Sequence, residues 1–276
     1  MSHPSCKRAS FILSGALLVL AAPAAEPEEK PADRKALLEV LAEAGLPTLR
    51  PGKDVETLPT VPVFAPERIK EYAKGGVDND FRKAVRKGRA AVWAVAVEAG
   101  GGPADFLAEV QLVRQAAGFG LAVLKEGVRA PENENRLKVI LVEREREVAK
   151  AMGELMDIHD DLMTAGARRN RESRRWQANY DLVRARLELQ IAFLFEYQSA
   201  LGQMRKDLPS RDPKLHGGWV LESKAKLDGD TAGKRLYKSA HQTLDFIIKE
   251  HVGTPWEVLA RRERDRLIGL EWKAVP

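Results

Sequence analysis

The segment ELMDIHDDLM (154–163) gathers the residue types best suited to chemistry in this sequence. On a helix, Glu154, Asp157 and Asp161 fall on one face with His159 nearby, and three carboxylates suit a hard cation such as Mg²⁺ or Ca²⁺. The same residues flank Leu155, Ile158 and Leu162, so a solvated edge beside a buried stripe is the simpler account. The other histidines after the first segment, His216, His241 and His251, make no His-x-x-x-His, and no Glu-x-x-His pair occurs. An enzymatic site assembled from separate helices around His159 and Asp161 stays as an alternative, because such sites are defined by geometry and not by order.

The glycine-rich stretches are poor phosphate cradles. GFG (118–120) lacks a third glycine and a preceding strand, and GDTAGKRL (229–236) is one residue short of a P-loop, with Arg235 where a magnesium-binding hydroxyl belongs. DGDTAG (228–233) opens like a calcium loop, but its twelfth position is Ser239 instead of glutamate. No cofactor or metal is expected, and these segments read as surface turns. The basic run ARRNRESRRWQ (167–177) offers Arg168, Arg169, Arg171, Arg174 and Arg175 as a binding face for an anionic polymer or lipid surface. Acids interleave it, which argues against nucleic acid as the partner. Trp219, after His216-Gly-Gly, is a further binding candidate, with a loop pin as the plainer role.

The first 24 residues have the layout of an export signal: Lys7 and Arg8, an apolar FILSGALLVL, then Ala22 and Ala24 at cleavage-site spacing. The apolar core is shorter than the roughly 20 residues needed to span a bilayer. Removing this segment would lower the net charge from +5 to +3 and discard Cys6, the only cysteine. A disulfide framework or a zinc–thiolate site is thereby excluded from the exported body. A periplasmic or secreted location follows, with membrane contact only through the signal or a basic face.

The remaining chain must position these residues, and its pattern is helical. Residues 25–64 form a proline-rich tether with one short helix, KALLEVLAEAG. Residues 65–130 read as a helical hairpin. Its first helix has a narrow stripe through Phe81, Ala84, Val85, Gly88 and Ala91 that admits a close neighbour, and its second carries Phe106 to Leu124. Residues 131–208 alternate steps of three and four through Leu137, Leu141, Arg144, Val148, Ala151, Leu155, Ile158, Leu162 and Ala165. The same seam resumes through Trp176, Tyr180, Val183, Leu187, Gln190, Leu194, Tyr197, Leu201, Met204 and Leu208. Polar GARRNRES (166–173) divides the two arms, favouring an antiparallel pair that turns near Gly166 over one bent helix.

Residues 209–276 are expected to close as a helix hairpin over the GTPWE turn. Gly253 stops one helix, Thr254 caps the next, Pro255 takes its first position and Glu257 completes a capping box, while Trp256 packs back as an anchor. The whole is an all-α fold: helical hairpins plus a long antiparallel coiled-coil-like helix pair behind a flexible tether, without strands.

RRWQANYDLVRARLELQIAFLFEYQSALGQMRKDLP (174–209) and GTPWEVLARRE (253–263) resemble the C-terminal half of a set of uncharacterised bacterial exported helical proteins. In some of these the region accompanies a von Willebrand factor A-type module, which has no counterpart in this sequence, so no metal-ion adhesion site carries over. The resemblance implies export, helical architecture and interaction more than catalysis. The expected function is a non-enzymatic interaction or scaffold role in the bacterial envelope, with a protein partner or self-association.

Overall fold

Asn79 fixes the start of the helix that follows it by accepting the Arg82 backbone N–H on its side-chain oxygen at 3.0 Å. This helix, α1, runs Asp80–Trp93. The computed structural model describes residues 71–72, 77–93, 128–129 and 134–276. The expected signal segment, the tether and the second helix of the first hairpin lie outside the described residues. A short strand β1 (Val128–Arg129) precedes α2 (Glu134–Ala165), a 3₁₀ turn (Gly166–Arg171) and α3 (Arg174–Lys206). Then come β2 (Gly218–Lys224), α4 (Thr231–Glu250), α5 (Pro255–Arg264) and β3 (Gly269–Val275).

The two long arms pack on each other within the chain. Leu137, Leu141, Val148, Leu155 and Leu162 of α2 share one buried cluster with Tyr180, Val183, Leu187, Leu194 and Leu201 of α3. Their direction is antiparallel: Arg205 near the end of α3 pairs with Glu145 near the start of α2 at 3.2 Å. At the other end the Tyr180 hydroxyl lies 3.9 Å from the Met163 sulfur. α1 sits in the furrow between the arms, as its narrow stripe requires. A Cβ on Gly88 would come within 2.7 Å of Val183 and 3.3 Å of Leu187, so glycine is what allows this approach. Arg82 locks the start of α1 to the turn through Glu172 at 2.8 Å and lies over the Trp176 ring.

α3 carries a second apolar stripe that the heptad reading passes over. Ala178, Leu182, Ala185 and Leu189 face α4 and α5, burying Ala240, Leu244, Ile247, Trp256 and Leu259. The helix is therefore covered nearly all round, as apolar residues on every side demand.

The C-terminal region departs from the expected helix hairpin by including a sheet. β1, β2 and β3 form an antiparallel three-stranded sheet in that order, with Leu221 opposite Trp272 and Val220 opposite Lys273. Trp219, Leu221 and Leu270 turn inward to the main cluster, and the Trp272 indole N–H donates to the Ala200 carbonyl at 2.8 Å. β2 and β3 have only seven residues each and β1 only two, runs too short to outweigh their helical surroundings. The fold is otherwise mostly all-α, and no helix among the described residues is long and apolar enough to cross a membrane.

The GTPWE turn keeps its geometry but not its expected hydrogen bonds. Gly253 has φ 72°, a left-handed conformation suited to glycine, and Pro255 opens α5. The Thr254 hydroxyl donates backwards to the His251 carbonyl at 2.6 Å and caps no N–H of α5. Glu257 accepts the Gly253 N–H at 2.6 Å, so only the acidic half of a box forms, displaced by one residue. Trp256 is fully buried as the anchor, its indole donating to Asn179 at 2.9 Å and its ring stacked on Tyr72.

Leu187 is fully buried where α1, α2 and α3 meet. Leu187→Ala should lower the unfolding free energy by about 2–5 kcal/mol, read as a shift in denaturant midpoint at unchanged slope.

Candidate functional site

α2 and α4 both run antiparallel to α3 and flank it, leaving a groove of about 550 Å³ with α3 as its floor. Tyr180, Arg184 and Glu188 recur every four residues, one face of a helix, with Asp181 beside them. Met163, Gly166 and Arg169 form one wall; Ser239, Gln242, Thr243 and Phe246 of α4, spaced three or four apart, form the other.

Two ion pairs organise the floor. Arg169 grips both Asp181 oxygens, at 2.7 and 2.5 Å, and its guanidinium lies 5.3 Å from the Phe246 ring centre. The hydrogen bond to Asp181 raises the Arg169 pKa despite burial. Deeper in the floor, Arg184 donates to Glu188 at 2.9 Å and to the Ser239 hydroxyl at 3.2 Å, while that hydroxyl donates to Glu188 at 3.0 Å. His159 Nε2 approaches the same Glu188 oxygen at 3.5 Å, and the second carboxylate oxygen has no partner.

The Glu188 side chain is only 2% exposed. Burial pushes its pKa up, but His159, Arg184 and Ser239 together hold it below the ordinary glutamate value. Through these bonds the Arg184–Glu188–Ser239 trio ties α3 to α4. Burial keeps the proton on Tyr180 by raising its pKa. Two cations balance two anions, and the surrounding hydroxyls, amide, thioether and aromatic ring suit recognition through hydrogen bonds and apolar contact.

Behind the floor lies a second buried polar group. The Tyr72 hydroxyl and His251 Nδ1 share a hydrogen bond of 2.6 Å, and His251 Nε2 lies 3.9 Å from Asp181. This network ties the residues entering α1 to the end of α4.

The sequence-derived candidates disperse. Asp161 pairs with Lys87 at 2.6 Å, away from His159, whose Nε2 turns to Glu188. Among the described residues no three His, Cys, Asp or Glu side chains are placed to hold a metal ion, so Glu154, Asp157 and Asp161 do not form the proposed cation site. The arginines do not make one face either. Arg169 belongs to Asp181, Arg174 bonds Glu71 and Glu250, and Arg175 is buried, leaving Arg168 and Arg171 exposed.

Trp219 is buried, its indole donating to the Pro209 carbonyl at 3.1 Å with Arg211 over its ring, which makes it a loop pin. The DGDTAG turn is likewise structural. Asp230 caps α4 by accepting the Ala232 N–H at 2.6 Å, and Glu196 accepts the N–H groups of Asp228 and Gly229. Asp181, Arg184, Glu188, Ser239 and Phe246 escape the sequence reading. Their one signal is the i,i+4 Arg184–Glu188 pair inside an otherwise apolar helix.

No protein-family model matches the chain, and no curated protein or solved structure is detectably similar to it.

Because its folded-state pKa is depressed, Glu188 contributes stability above the ordinary glutamate value and loses it as pH falls through the lower folded value. Glu188→Gln should cost about 1–3 kcal/mol at neutral pH. It should also flatten the acid limb of a melting-temperature profile against pH.

Proposed function

We propose that this chain is an exported interaction or scaffold protein of the bacterial envelope, which uses the groove between α2 and α4 as a binding face. The observation that carries the reading is the state of that face. Met163 and Phe246 stay exposed on its two rims while a polar floor of paired charges lies between them. Apolar anchors beside fixed hydrogen-bonding groups are what a recognition surface requires, the anchors supplying affinity and the polar groups orientation. The heptad seam is consumed inside the chain. Interaction must therefore use the outer surfaces of the helices.

The reading of export rests on Lys7 and Arg8, the apolar run 11–20 and the Ala22–Ala24 spacing. The run of five arginines gives the anionic-surface alternative little support, since three of them are committed within the protein.

Site-directed photo-crosslinkers at Gln242 and Thr243 should capture a defined protein in envelope extracts. Phe246→Ala with Met163→Lys should reduce that capture about tenfold, equivalent to about 1.4 kcal/mol. Capture unaffected by the double change, or turnover of a small molecule lost with it, would reject the reading.

A further inference from the structure

The seam that α2 gives to α3 uses one edge of the helix. On the opposite flank Val142, Ala149, Met156 and Met163 recur every seven residues, with Val142 37%, Met156 43% and Met163 39% exposed. Beside them Val139, Arg146, Gly153 and Asp160 form a second exposed row with the same period. Two adjacent heptad rows define a coiled-coil face, which from Val139 to Met163 runs about 36 Å along α2. Isolated exposed apolar residues are ordinary, but a regular row of them is not scatter.

The charges on this face say what fits it. Arg146 and Asp160 stand equally far from Gly153, one on each side. A second α2 laid antiparallel about a two-fold axis at Gly153 sets each Arg146 against the other copy's Asp160. The same alignment brings Val142 near Met163 and Ala149 near Met156. A parallel alignment would oppose Arg146 to Arg146 and Asp160 to Asp160, which is unfavourable. Gly153 has open space around it among the described residues, where a Cβ would meet nothing within 4 Å. A glycine inside a helix costs about 1 kcal/mol relative to alanine, and close approach of a second helix gives it a use.

We propose that a second copy of this chain docks on this face as a two-fold, antiparallel α2–α2 pair. The proposal rests on the interaction reading above and adds a second copy as the partner of this face, which shares only Met163 with the groove. A single helix pair buries less than a standard interface, so the dissociation constant is expected on the order of micromolar.

Sedimentation equilibrium of the purified protein over the micromolar range should show a reversible dimer. Arg146→Asp and Asp160→Arg should each raise the dissociation constant at least about tenfold, and the double reversal should restore dimerisation to within about threefold of the original. Both residues are exposed, and an unchanged thermal midpoint will show that the variants fold. Gly153→Cys in a Cys6→Ser background should yield a dimer with a short bismaleimide. A protein monomeric throughout the range, single reversals without effect, or no rescue by the double reversal would overturn the proposal. So would an introduced thiol that maleimide cannot reach, since the face would then be covered from within the chain. A monomer that still captures another protein through Gln242 and Thr243 would remove self-association while leaving the binding groove in place.

Discussion

The burial of α3 is the constraint on which the other elements depend. Its apolar side chains project in nearly every direction, so no single neighbour can cover it. α2 and α1 take one stripe, α4 and α5 take the other, and the sheet closes over the C-terminal half through Trp219, Leu221 and Leu270. Each of these elements is amphipathic and would be marginal alone. Packing against one continuous rod stabilises all of them together.

Such a rod is costly wherever it carries a polar group, because an unpaired one in the interior loses its solvation. Asp181 is answered by Arg169, Glu188 by Arg184 and Ser239, Glu196 by two backbone N–H groups, and Asn179 by the Trp256 indole. Apart from Arg184, which lies on α3 itself, the answers come from other turns and helices, so the polar residues of α3 fix where each partner sits along it. Apolar contact alone would tolerate sliding. Directional bonds at four separate heights do not.

The seam from Leu137 to Leu162 and from Trp176 to Met204 was legible because heptad spacing is a strong, long-range pattern, and Gly88 marked a close helix approach for the same reason. The second stripe, Ala178 to Leu189, was hidden by small residues and by the first stripe interleaved with it. β2 and β3 were missed because Trp219 and Leu221, or Leu270 and Trp272, alternate for too few positions to compete with helix periodicity. The groove was invisible in principle: Glu188, Ser239 and His159 lie on three helices, and only tertiary packing brings them together. The arginine run misled because composition records charge without recording which acids will neutralise it.

The hydrogen bond between Tyr72 and His251 joins residues 179 positions apart. Loop-closure entropy grows only with the logarithm of that separation, so the link is affordable, but it can form only after the helices between its ends have assembled. Stacked on Trp256 and bonded to His251, Tyr72 thereby fastens the chain ahead of α1 to the C-terminal helices.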